Sequence, residues 1–277
     1  MKNPNFLIID SGVGGLSIWQ EIQQLIPNSH TCYVADNGAY PYGTLEEQVL
    51  VQRLLQLLPE LERQYQPDII VIACNTASTV VLDPLRAQTN TPVIGVVPAI
   101  KPAAACSQSK QVTLLATPGT IQRRYIDRLI EDFGNGCRFL RIGSNQLVHE
   151  AEQKIRGKPV NRAIIHEVLA PLQDSHTDVL ILGCTHFPIL LQEIRAAIPA
   201  HIRILDSGAA IARRAQQLLI DLPPAEGKTR LPGNLFLFTA ETEQAHLLEA
   251  GIKHFGFDKI RFFAPNATQF EQKSGAT

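Results

Sequence analysis

With 277 residues, 45 % of them apolar, the chain has material for one large domain or for two smaller ones with full cores. A formal net charge of −1 leaves no electrostatic case for nucleic acid or an anionic membrane as partner, and no run of eighteen apolar residues predicts a membrane span. The five cysteines (Cys32, Cys74, Cys106, Cys137 and Cys184) are odd in number and lack CxxC spacing; the apolar run near the N-terminus is too short for a signal peptide. Reduced thiols in a cytoplasmic protein are expected.

Taken in order, the chain alternates apolar runs with helical patterns. Runs at Phe6–Ile9, Ile69–Ala73, Val93–Val97, Val112–Ala116, Val179–Leu182 and Ile202–Leu205 are short and do not alternate with polar residues. That is the pattern of strands buried on both faces of a parallel sheet. In "TLEE", Thr44 is positioned to cap a helix with Glu47 reaching back, and Pro59 is expected to kink or end that helix. A further strand in "NLFLFTA" and a helix over Glu243–Ala250 follow Gly233. The fold class predicted is α/β with mainly parallel sheets.

The chain also repeats itself. "DIIVIACNTAS" (Asp68–Ser78) and "DVLILGCTHFP" (Asp178–Pro188) lie 110 positions apart, as do "TPVIGVVPA" (91–99) and "HIRILDSGA" (201–209). "FLIIDSGVGG" (6–15) and "VTLLATPGT" (112–120) share a layout of strand, polar residue and glycine-bearing turn. Two pseudo-symmetric α/β domains are expected, 1–98 with 207–277 and 99–206, the chain crossing at "VVPAIKPAA" and at "DSG" (206–208).

In such sheets ligands sit beyond the carboxyl ends of the strands. Those ends hold Asp10, Ser11, Cys74, Asn75, Thr76, Cys184, Thr185 and His186. The turn "SGVGG" lacks the GxGxxG fingerprint and no P-loop lysine occurs, so no dinucleotide site is expected. The motifs contain no Lys or Arg. An anion would be held by amides at helix N-termini and by the hydroxyls of Ser11, Thr76 and Thr185.

A thiol at a helix N-terminus is expected to ionise more easily than a free one. Two such thiols admit three roles. As a nucleophile, one would need a histidine and leave the other surplus. As metal ligands, Cys74, Cys184, His186 and Asp10 would make a set of four, without any usual zinc spacing. As a pair of acid/base groups on opposite sides of a ligand, they would remove a proton from one face of a carbon and deliver one to the other. Only this last role explains the duplication. Plainer roles exist for the rest: Asp10 as a helix cap, His186 as a packed histidine, Tyr42 as turn chemistry. The duplicated cysteines weigh against them.

At these residues the chain resembles the cofactor-independent aspartate/glutamate racemase superfamily, the glutamate racemases most closely. The matching segments are "IDSGVGGLS" (9–17), "ADNGAYPYG" (35–43), "IACNTAS" (72–78), "GVVPAIKPA" (95–103), "LATPGT" (115–120), "LGCTHFP" (182–188) and "LDSG" (205–208). The resemblance implies two α/β domains with the active site in the cleft between them. It implies Cys74 and Cys184 as catalytic thiols, the first abstracting the proton of the D-enantiomer and the second that of the L-enantiomer. Asp10 would assist Cys74 and His186 would assist Cys184. Ser11, Tyr42, Gly43, Asn75, Thr76 and Thr185 would hold the substrate, with Thr117 and Thr120 nearby. The family's acidic residue on a helix of the second domain falls in "LVHEAEQ" (147–153), where His149 stands in place of the glutamate of many relatives and Glu152 is the candidate. The implied activity is interconversion of L- and D-glutamate without pyridoxal phosphate or metal, by a cytoplasmic homodimer supplying D-glutamate for peptidoglycan. Aspartate racemisation and a Cys/His zinc-binding role are the alternatives.

Overall fold

The computed structural model describes residues 3–222 and 229–264. Residues 265–277, assigned above to the first domain, lie outside the described residues. Ten strands form two sheets: β1 (Asn5–Asp10), β2 (His30–Ala35), β3 (Ile69–Ile72), β4 (Val93–Gly95), β5 (Gln111–Ala116), β6 (Arg138–Gly143), β7 (Val179–Leu182), β8 (Arg203–Leu205), β9 (Leu235–Phe238) and β10 (Lys259–Phe262). One sheet has the order β10-β9-β2-β1-β3-β4 and the other β6-β5-β7-β8. Every pairing is parallel. Without β9 and β10 the first sheet has the strand order of the second, so the sequence repeat is a repeat of topology.

Both faces of each sheet are covered, which is why the strands read as continuous apolar runs. Along β1, Phe6 and Ile8 enter one apolar cluster while Leu7 and Ile9 enter the other. Along β7, Leu180 and Leu182 face one side, Val179 and Ile181 the opposite one. Truncating a fully buried side chain such as Leu54 or Leu180 to alanine would cost about 2–5 kcal/mol.

The chain leaves the first sheet after β4. The helix Ile100–Cys106 already packs beneath the second sheet, with Ile100 and Ala103 against Val112, Leu114 and Ile181. It returns after β8, where Ile211, Ala212 and Ala215 of the helix Gly208–Asp221 join the cluster of Leu16 and Trp19.

One local expectation is corrected and one is narrowed. The helix Glu47–Tyr65 starts after Glu46, not at a capping box: Thr44 lies in a preceding 3-10 turn, and its hydroxyl donates to the carbonyl of Pro41 at 2.9 Å. Pro59 does not end that helix, which runs on to Tyr65. Proline removes the amide that would bond the carbonyl of Leu55, and Gln88 Nε2 donates to that carbonyl instead, at 2.9 Å. Among the described residues no helix is long and apolar enough to cross a membrane.

Candidate active site

The carboxyl ends of the two sheets meet around a cavity of about 140 Å³, lined from the first sheet by Asp10, Ser11, Cys74, Asn75 and Thr76 and from the second by Thr117, Cys184, Thr185 and His186. That is several times the roughly 30 Å³ share of one water and below the roughly 300–1,000 Å³ of drug-sized ligand pockets, a volume for a small molecule. Tyr42 and Gly43 also line it, from the segment after β2.

Cys74 follows β3 by two residues, in extended conformation, and takes the N-cap position of the short helix Asn75–Ser78 without a side-chain capping bond. The direction of its thiol is opposite to the one expected of a helix N-terminus. Burial, and next the Asp10 carboxylate, push it well above the ordinary thiol range, outweighing the pull of the Ala77 and Thr76 amides. A single helical turn supplies little field against a dry site.

Asp10 ends β1. Its Oδ1 accepts from the amide of Gly12 at 2.9 Å and its Oδ2 from the hydroxyl of Thr185 at 3.0 Å. The helix Leu16–Leu25 is capped at Gly15 without any side chain, so Asp10 folds the loop and grips the second half rather than capping. Burial raises its carboxyl, against the pull of His186 and these donors.

Cys184 follows β7 as Cys74 follows β3. Its Sγ stands 3.9 Å from Nδ1 of His186. The other ring nitrogen, Nε2, faces Oε1 of Glu152 at 3.6 Å, the separation of an ion pair rather than a hydrogen bond. Burial works against a charge on His186, yet Cys184 and Glu152 raise it to about 10, so the ring is an imidazolium at neutral pH. Burial pushes Glu152 up, but His186, Arg156 and the Tyr40 phenol hold it below its ordinary value.

The glycines of "SGVGG" serve close packing. A Cβ on Gly14 would lie 2.3 Å from Nδ1 of His186, and one on Gly15 would lie 2.7 Å from the hydroxyl of Tyr33 and 3.1 Å from Oδ2 of Asp10. The imidazole therefore rests on the bare backbone of the first turn. Across the cleft Ser17 Oγ donates to the carbonyl of Thr185 at 2.8 Å. The hydroxyls of Thr76, Thr117 and Thr120 form a ring, with Thr76 at 3.3 Å from Thr117 and 3.0 Å from Thr120, and 2.9 Å between the last two.

In sequence and in fold the chain matches known proteins closely. Residues 15–215 fit the family model Asp/Glu/Hydantoin racemase. Glutamate racemase of Shewanella loihica is 50 % identical over 78 % of this chain and 81 % of its own length. That of Vibrio vulnificus is 45 % identical over 95 % and 98 %. The crystal structure of Escherichia coli glutamate racemase in complex with L-glutamate and the activator UDP-MurNAc-Ala superposes with a TM-score of 0.90 at 40 % identity, covering 95 % of this chain and 98 % of that one. The chain belongs to the Asp/Glu/hydantoin racemase family, among its glutamate racemases. It is an enzyme of the isomerase class.

Of the racemase's candidate residues, Asp10, Ser11, Tyr42, Gly43, Cys74, Asn75, Thr76, Thr117, Cys184, Thr185 and His186 surround one cavity. Thr120 stands one layer back, behind Thr76 and Thr117, and Glu152 stands behind His186. The Tyr42 hydroxyl donates to Asp36 at 2.8 Å, so it braces the wall. Sequence reasoning passed over Tyr40, Pro41, Asn145 and Val148, which also line the cavity, and Asp36, which gathers Tyr42, Arg53 and Thr239. For Asp36, Tyr40 and Pro41 the signal was the motif "ADNGAYPYG", in which only the last two residues were singled out; Val148 lies in "LVHEAEQ", where attention fell on the acidic positions. His149 lines the cavity as well, with Nε2 3.0 Å from the amide nitrogen of Gln153. Among the described residues no group of three or more His, Cys, Asp or Glu side chains is gathered as a metal site requires, and a ligand set of Cys74, Cys184, His186 and Asp10 finds no support.

Proposed function

We propose that the racemase interconverts L- and D-glutamate by a two-base mechanism in which Cys74 and Cys184 act on opposite faces of Cα. One observation carries this: the two thiols each lie two residues beyond equivalent strands of a repeated topology, β3 and β7, and line the same small cavity from opposite sheets. Inversion needs a base on one face and an acid on the other, and duplication supplies both. A buried Cys74 kept as the thiol is the acid for the L-to-D direction. Cys184, beside the His186 imidazolium, is the base; in the reverse direction the roles exchange.

The α-proton of an amino acid is weakly acidic, so the site must stabilise carbanion character and align the thiolate with the C–H bond. Asn75 Oδ1 is buried without a partner and is available to an ammonium group. The hydroxyls of Ser11, Thr76 and Thr117 and the amides after Cys74 line the cavity for the carboxylates, with Thr120 buttressing the threonine ring and the Thr185 hydroxyl given to Asp10. Glutamate as substrate is supported by the relatives, one of them crystallised with L-glutamate.

The reading extends to domains of 1–98 with 207–277 and 99–206, a division that the membership of the strands in the two sheets supports. It extends to D-glutamate supply for peptidoglycan in the cytoplasm, supported by the muramic-acid activator of the Escherichia coli relative. The homodimer rests on the family resemblance, and sedimentation tests it. The activity itself is tested by following the circular dichroism of L-glutamate with chelator present and no cofactor added. The signal should decay to zero; a signal that persists until zinc or pyridoxal phosphate is supplied overturns the reading.

A further inference from the structure

We propose that Arg156 is a positioning residue of this site, acting through Glu152 to hold the His186 ring against Cys184. The inference rests on the roles proposed for Cys184 and His186. Arg156 lies one helical turn beyond Glu152, at the C-terminal end of the helix Gln146–Ile155, and its NH2 donates to Oε2 of Glu152 at 3.1 Å. The opposite oxygen of that carboxylate, Oε1, faces Nε2 of His186 at 3.6 Å, and Nδ1 of the same ring faces Sγ of Cys184 at 3.9 Å. The four side chains make one line from Arg156 to the thiol.

The line is buried. Arg156 and Glu152 are each 9 % exposed and His186 is 4 % exposed. A buried ion pair is a poor source of stability, because desolvation offsets its attraction. Its use here is geometric and electrostatic: Arg156 fixes one carboxylate oxygen and leaves the other for the ring. The end of the helix is itself fixed. Lys154 donates to the carbonyl of Ile189 at 2.9 Å and to Glu193 at 2.8 Å, both on the chain just after His186. Gly251 approaches so closely that a Cβ there would lie 2.0 Å from the carbonyl oxygen of Ile155.

Glu152 is faced by His186 from the loop after β7, by Arg156 from its own helix and by Tyr40 from the segment after β2; Asp10, at the end of β1, and Cys184 act on His186. Of these, Arg156 is the fixed charge. Removing it takes a cation from a buried carboxylate, which raises the pH at which that carboxylate is protonated.

The test is the acid limb of kcat/KM, which reports the free enzyme. In Arg156→Gln that limb should move up by about one pH unit or more, and Arg156→Lys should restore it. An unmoved limb in a folded Arg156→Gln overturns the proposal, as does a limb that Lys does not restore. Should Arg156→Gln fail to fold by circular dichroism, the paired variant Glu152→Gln/Arg156→Gln is compared with Glu152→Gln alone. No further loss of kcat/KM is expected, and a loss of tenfold or more overturns the proposal. Cys184→Ala and His186→Asn test the parent reading separately. If they racemise normally that reading falls; if they are inactive and the limb is unmoved, only the role of Arg156 falls.

Discussion

Nδ1 of His186 stands 3.9 Å from Sγ of Cys184, and the bare backbone of Gly14, from the other half of the molecule, lies against the same ring. The ring is thus held by both halves. Its value is raised from 6.5 to about 10, so the stability it contributes is fully present below about pH 6.5 and is lost as pH rises through about 10. Urea midpoints should fall between those limits, and His186→Asn should fall less. Equal falls would separate His186 from the pH dependence.

Gly14→Ala tests the packing. The added Cβ would meet the imidazole at 2.3–2.8 Å, so the ring or the cleft must shift. A displacement of about 1 Å in a catalytic group can cost on the order of 10²-fold, and kcat should drop by about that much with the fold retained. Near wild-type kcat would mean that the ring position does not matter to the reaction.

Asp10→Asn and His186→Asn are expected to act unevenly on the two directions. The enantiomers have equal free energies in solution, so kcat/KM must fall by the same factor in both directions for any variant. The unevenness therefore appears in kcat and KM separately. Each variant should lower kcat by about tenfold or more in one direction and less in the other. Matched small losses would return both residues to a structural role.

Thr120→Val removes one hydroxyl from the ring behind the cavity while Thr76 and Thr117 keep their 3.3 Å contact. Losing the two neutral hydrogen bonds of Thr120, each of about 0.5–1.5 kcal/mol, should loosen the ring and raise KM for glutamate by a few-fold or more with little change in kcat. A collapse of kcat would move Thr120 from the support of the site to its chemistry.

The strands of the two sheet interiors were legible because burial on both faces leaves only apolar residues. β6 ("RFLRIG") and β10 ("KIRF") were not, since they are edge strands whose exposed face carries Arg or Lys. β2 was missed because it opens on His30 and Thr31. The cysteine strands announced the site by repeating. Arg156 stands i,i+4 from Glu152 and Tyr40 stands within "ADNGAYPYG", so both left a trace, but the convergence of the two on one carboxylate behind His186 is made only by the assembled cleft. The direction of Cys74 was misjudged for a related reason: burial is a property of the assembled cleft, and the helix N-terminus is all that the local sequence displays.

Cys74→Ala and Cys184→Ala should each lower racemisation by about 10²–10⁴-fold or more while glutamate still binds, since its carboxylates are held by other groups. Binding measured by calorimetry alongside turnover checks both halves of that statement.

The most direct test of two opposed thiols is the origin of the proton delivered. L-glutamate is incubated in heavy water, the reaction is stopped early, and the enantiomers are separated for mass spectrometry. The account predicts deuterium at Cα of the D-glutamate formed and little in the remaining L-glutamate, with the same pattern when D-glutamate is the substrate. Early product that keeps substantial protium at Cα would point to a single base reaching both faces, and would contradict the pairing of Cys74 with Cys184.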